Sequence, residues 1–277
     1  MTASVIGSGS GSGSLAGEPA ITIVADAGAL ADAAAQGVAD ALIAAVGRRG
    51  RADLATTGGS TPAGLYVRLA RSPLREAVPW QHVHVWWGDD RYVPADHPLS
   101  NVFAVDEILL DPAHGVPIPL EQVHPWPTNR AIAEDLGPEW CADTYAEEAR
   151  AELPLGMLGV PAFDLVLLGI GPDGHLLSVF PGSPAVGSDR LALAIPAPTH
   201  IEPHLPRVTF NPAILDAAGS VLAMVSGAAK ADVLARILDG PRTDPVTAQG
   251  LPAQLARRSS ATWLIDQAAA VRLRPRP

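Results

Sequence analysis

From Ile21 onward the chain alternates short runs of consecutive apolar residues with longer segments whose apolar positions recur every three or four residues. The short runs predict strands over Ile21–Asp26, Ala52–Thr57, His82–Trp87, Phe163–Leu168, Val221–Ser226 and Ala261–Asp266. The longer segments predict helices over Ala27–Val46, Thr61–Arg71, Ser100–Leu110, Arg130–Glu152 and Ala228–Leu238, with Ser100 as an N-cap. Phe163–Leu168 and Val221–Ser226 are almost uninterrupted in their apolar character, as expected of strands covered on both faces. The expected fold class is therefore α/β: a single domain built on a mostly parallel, doubly wound (Rossmann-like) sheet with helices on both faces. There is no internal repeat. Gly7 to Ser14 alternate glycine and serine, so residues 1–18 read as a flexible leader and 19–277 as the α/β domain. Pro-rich Pro196–Pro206 reads as a loop crossing between sheet elements. Ligands of such sheets bind beyond the carboxyl ends of the strands, so the loops there are where chemistry is sought.

Charge narrows the partners. The 277 residues carry 29 acidic and 19 basic side chains, a formal charge of −10. That balance argues against nucleic acid, whose phosphates demand a basic footprint, and against an anionic membrane surface. A hydrophobic content of 48% excludes a disordered chain. No uninterrupted apolar run approaches the roughly 18 residues of a membrane span, and the N-terminus lacks a secretory pattern. The lone Cys141 forms no intrachain disulfide. The expectation is a cytoplasmic protein, monomeric or weakly homo-oligomeric, acting on a small molecule. Lys230 is the only lysine, so an anionic substrate would depend on a few local cations.

Four loops carry candidate chemistry. Thr57-Gly58-Gly59-Ser60-Thr61-Pro62 joins a strand to a helix start, and reads equally as an anion cradle of backbone amides or as an ordinary capped turn. Trp87-Gly88-Asp89-Asp90-Arg91 ends an apolar strand, and its adjacent aspartates point to opposite faces with different jobs. Gly169, Gly171 and Gly174 satisfy a dinucleotide-binding pattern, yet Pro181-Gly182 leaves no room for the long helix that motif requires. What that loop retains is Asp173-Gly174-His175, with a histidine suited to general-base work near neutrality. In Ser226-Gly227-Ala228-Ala229-Lys230 the sole lysine sits in the first helical turn, an unfavourable place for a cation unless an anion binds there. Arg207 opens another apolar segment. His82 and His84 share a strand face without a third ligand nearby, and no metal motif is present.

In this order, Gly58-Gly59-Ser60-Thr61-Pro62, Trp87 to Pro94, Ser100-Asn101, Asp173-Gly174-His175 with Phe180-Pro181-Gly182, and Gly227 to Lys230 resemble the 6-phosphogluconolactonases, from about Ile21 to Asp266. The wider superfamily includes glucosamine-6-phosphate deaminases. The resemblance implies a hydrolase needing neither metal nor cofactor, opening 6-phospho-D-glucono-1,5-lactone to 6-phosphogluconate in the oxidative branch of the pentose phosphate pathway. It implies a catalytic set of His175, Asp173 and Asp89, with His175 activating a water. It implies substrate and phosphate binding by Gly58, Gly59, Ser60, Thr61, Arg91, Arg207 and Lys230. One departure is Leu176-Leu177, where the family has small or hydroxylated residues. The alternative within the superfamily is a deaminase, but Phe180 and Arg91 stand where isomerising deaminases resemble one another in having glutamate and tyrosine. A non-catalytic sugar-phosphate sensor is the alternative from another class, and would carry a basic DNA-binding segment.

Overall fold

The six apolar runs all enter one parallel sheet. A computed structural model describes residues 17–156, 159–247 and 249–275, and the Gly/Ser run of the expected leader lies outside them. The strands are β1 (Ala20–Val24), β2 (Ala52–Thr56), β3 (Val83–Trp87), β5 (Val123–His124), β6 (Leu165–Gly169), β9 (Ser220–Val225) and β10 (Ala261–Asp266). Their order across the sheet is β1-β10-β9-β6-β2-β3-β5, every pairing parallel. Every residue of β2 and β10 is buried, which explains the lack of alternation in their sequences. Burying Leu54, Leu264 and Ile265 contributes roughly 1.5–3 kcal/mol each. Chain order reverses between β6 and β2, and the loops after these two strands diverge there, opening the crevice expected of a doubly wound sheet.

A second, antiparallel sheet was not foreseen. It consists of β4 (Asp89–Arg91), β7 (Ala192–Ile195) and β8 (Arg207–Phe210), in the order β4-β8-β7. Gly88 joins the two sheets. Its N–H donates to Thr56 O at 3.0 Å, and its carbonyl accepts from Phe210 N at 2.9 Å. A Cβ there would lie 2.7 Å from Leu177 Cδ2. Glycine is what lets the chain leave β3 for β4 beneath that side chain.

Helix α1 (Ala27–Arg49) packs against β2, β10 and helix α2 (Ser60–Leu69). By length and apolar character α1 resembles a membrane span, but half of that stretch is buried inside the fold. The expected helix Arg130–Glu152 is two helices, Thr128–Ala133 and Gly137–Glu152. Asp135 (φ +53°) and Gly137 (φ +83°) turn the chain through the left-handed region, and Leu136 N–H returns to Ala131 O. Ser100 caps Asn101–Asp106 as expected, its hydroxyl accepting from Val102 N at 3.0 Å, but the helix ends a turn earlier than the pattern implied. Trp86, Trp126, Tyr145, Phe163 and Phe210 form one aromatic cluster of tilted and edge-on rings. Trp86 and Trp87 are fully buried core residues. Burial pushes the Cys141 thiol up to about 12, leaving it a packing residue.

Candidate active site

The loops after β2, β6 and β9 meet β4 and β8 around a cavity of about 270 Å³. Its lining contains Gly58, Gly59, Ser60, Thr61, Asp89, Arg91, His175, Arg207 and Lys230. Of the residues expected from sequence, only Asp173 stands outside the lining; it lies directly behind His175.

The floor of one end is the start of α2. Gly59 holds φ +107°, open only to glycine, and no side chain caps this helix. The first-turn amides, which have no partner within the helix, therefore belong to the cavity wall formed by Gly59, Ser60 and Thr61. Gly58 is required for a different reason. A Cβ on it would fall 1.8 Å from Asn101 Oδ1, the space being taken by an amide that donates to Asp89 O at 2.9 Å.

Three cations face this end. The β4–β8 register sets Arg91 directly opposite Arg207. Backbone carbonyls hold all three side chains: Leu99 O accepts from Arg91 Nη1 at 2.6 Å, Pro203 O from Arg207 Nη2 at 3.0 Å, and Ile170 O from Lys230 Nζ at 2.8 Å. Among the described residues none of the three has a carboxylate within ion-pair distance. Burial, and then the neighbouring Arg91, lowers the proton affinity of Arg207, and burial lowers that of Lys230 against a small opposing pull from Asp173. Like charges held together beside a helix start are suited to an anion, which would relieve their repulsion.

The adjacent aspartates divide as expected, one to the cavity and one to the interior. Asp89 lines the cavity, and its Oδ2 accepts from Ser178 Oγ at 2.5 Å. Asp90 is fully buried and accepts from Asn101 N at 2.6 Å, Ser100 Oγ at 2.8 Å and Arg91 N at 2.7 Å. Burial pushes its carboxyl up to about 6 in spite of those donors. It is a structural staple for the loop between β4 and the Asn101 helix.

His175 lines the same cavity. From Gly171 to Gly182 the chain makes turns and isolated bridges in place of a helix, so the dinucleotide-like glycines serve another purpose. Gly171 N–H donates to His175 O at 2.9 Å and Gly174 holds φ +86°, folding the loop so that His175 Nδ1 meets Asp173 Oδ1 at 2.5 Å. Burial would raise the Asp173 carboxyl, but the hydrogen bond and charge of His175, with a further bond from His200, hold it well below the usual carboxylate range. An ionised Asp173 accepts a hydrogen bond from Nδ1–H, which leaves the ring's lone pair on Nε2. Leu176 is core, while Leu177 lines the cavity at φ +52°; the hydroxyl on this side comes from Ser178 instead.

Sequence reasoning overlooked Asn101, Ser178 and His200 as site residues. Asn101 sat within a quoted motif, but only the 1.8 Å approach to Gly58 reveals its part. His200 is 25 positions from His175, on a loop whose return no local pattern encodes.

Residues 25–264 match the family described as glucosamine-6-phosphate isomerases/6-phosphogluconolactonase. A 6-phosphogluconolactonase of Synechocystis sp. is 40% identical over 233 residues, covering 83% of this chain and 88% of its own. One from Streptomyces coelicolor is 34% identical over 264 residues, covering 92% and 95%. The solved structure of 6-phosphogluconolactonase from Trypanosoma brucei aligns with a TM-score of 0.80 at 29% identity, over 94% of this chain and 100% of that one.

Proposed function

The chain belongs to the family of glucosamine-6-phosphate isomerases and 6-phosphogluconolactonases, and on that premise we propose that it hydrolyses 6-phospho-D-glucono-1,5-lactone to 6-phosphogluconate. The observation that carries the reading is that one cavity brings a His175–Asp173 couple together with three cations that, among the described residues, lack carboxylate partners. The phosphate binds the amides and hydroxyls of Gly59, Ser60 and Thr61 together with Arg207 and Lys230, and Arg91 adds its charge. That places the lactone toward His175.

In the reaction, His175 Nε2 takes a proton from water as the oxygen bonds to the lactone carbonyl carbon. The tetrahedral intermediate collapses by breaking the bond to the ring oxygen, which receives that proton from the imidazolium. The products are a carboxyl group and a hydroxyl, and no redox change occurs. Asp173 does not touch substrate on this reading. It holds the ring in one tautomer and stabilises the transient imidazolium. Asp89, fixed by Ser178 and Asn101, faces the sugar hydroxyls as an acceptor.

The test is a purified-protein assay of lactone hydrolysis with chelator present, run beside glucosamine-6-phosphate. Hydrolysis in chelator, falling about 10²-fold or more in His175→Ala while the fold is retained, is the expected result. Deamination without lactone hydrolysis would overturn the assignment, and wild-type turnover in His175→Ala would remove the histidine from the mechanism.

A further inference from the structure

Asp173 has two imidazole partners. Its Oδ1 meets His175 Nδ1 at 2.5 Å and its Oδ2 meets His200 Nε2 at 2.8 Å, so each carboxylate oxygen takes one ring nitrogen. Phe180 stands between the two rings, 4.8 Å from His175 and edge-on to His200 at 5.6 Å. His200 lies in the loop between β7 and β8, and Ile201 anchors that loop on the small apolar cluster containing Phe180. The same loop supplies the carbonyls of Pro203 and Leu205 that receive Arg207 Nη2 and Nε at 3.0 and 3.2 Å. One segment thus touches both the carboxylate behind the base and the guanidinium of the anion site.

We propose that His200 is a positioning residue: by donating to Asp173 it fixes the carboxylate that orients His175, and its loop ties the seating of the phosphate at Arg207 to the alignment of the base. The proposal rests on His175 being the base. With His200 removed, Oδ2 is left to solvent and the carboxylate is free to rotate about its Cβ–Cγ bond. His175 then loses the fixed acceptor that selects its Nδ1–H tautomer. The ionisable groups that act on Asp173 are His175 on its own loop, His200 from the loop between β7 and β8, and Lys230 from the turn after β9.

The experiment compares wild type, His200→Ala and His200→Gln, the last keeping a neutral donor near the Nε2 position. His200→Ala is expected to lower kcat about tenfold with KM within threefold. His200→Gln is expected to recover most of kcat. Nitrogen-15 spectra of the His175 ring should show one Nδ1–H tautomer in wild type and His200→Gln, and a tautomer mixture in His200→Ala. Wild-type kcat together with an unchanged His175 tautomer in folded His200→Ala overturns the proposal. If His200→Ala does not fold, His200→Phe, which keeps a ring but donates no hydrogen bond, takes its place, and wild-type kcat with an unchanged His175 tautomer in that variant overturns the proposal. If the spectra change as expected but His175→Ala stays active, the positioning stands and the general-base reading fails.

Discussion

Replacing Gly171 with alanine tests the couple with one methyl group. A Cβ at Gly171 would stand 2.0 Å from His175 Nδ1, 2.2 Å from Cε1 and 2.6 Å from Asp173 Oδ1. To reach ordinary contact at 3.4 Å the ring must withdraw by about 1.4 Å, which carries Nδ1 away from the carboxylate it now meets at 2.5 Å. Gly171 does not occupy the left-handed region, so alanine suits the backbone. A displacement on this scale costs on the order of 10²-fold in turnover, or roughly 2.7 kcal/mol of barrier. Stability should fall by about 0.5–2.6 kcal/mol. Losing a charge-assisted bond at a site about one-fifth exposed costs about 1.5–3 kcal/mol, and replacing glycine with alanine returns about 0.4–1 kcal/mol through the unfolded chain. The measurements are kcat for lactone hydrolysis and Tm on the same preparation. A folded Gly171→Ala protein with kcat within threefold of wild type would refute the claim that this hydrogen bond sets the base.

Lys230→Ala should raise KM about 10- to 100-fold, the worth of one charge-assisted contact, while kcat moves less than fivefold. Thermal protection by inorganic phosphate should weaken in parallel, and equal protection of wild type and variant would remove Lys230 from the anion site. Asp90 supplies a pH test. Its folded carboxyl titrates at about 6 while an unfolded aspartate titrates near 3.9, so the native state holds the extra proton between these values and the group's contribution falls as pH rises through that window. Asp90→Asn removes the titration. Its stability relative to wild type, read by urea unfolding, should therefore improve by up to about 3 kcal/mol between pH 4 and pH 8, and parallel curves would contradict the burial argument.

The parallel sheet was legible because burial on both faces writes itself as uninterrupted Val, Leu, Ile and Ala. The small antiparallel sheet was not. Asp89–Arg91 is three charged residues, and its partner Arg207–Phe210 lies more than a hundred positions away, so neither carries a local pattern that names the other. The break at Asp135 hid because apolar spacing continues across Leu136-Gly137-Pro138, although Gly-Pro was a stop signal in plain view. Site residues in glycine-rich strand-end loops could be read from residue type and spacing. Asn101 and His200 act through distances to Gly58 and Asp173 that exist only once the chain has closed on itself.

The facing arginines have a consequence for turnover. The phosphate they are proposed to hold is the same group in lactone, transition state and product, so this grip is blind to the progress of the reaction. It strengthens retention of product as much as capture of substrate, and by itself would make the enzyme prone to inhibition by its own acid. What differs between the two ends of the reaction is one new negative charge. Asp89, held in place by Ser178, lines the same cavity and repels a carboxylate while accepting a neutral ring. Discrimination between what enters and what leaves then falls to a single anion, and its neutral replacement Asp89→Asn would be recognised by tighter product inhibition.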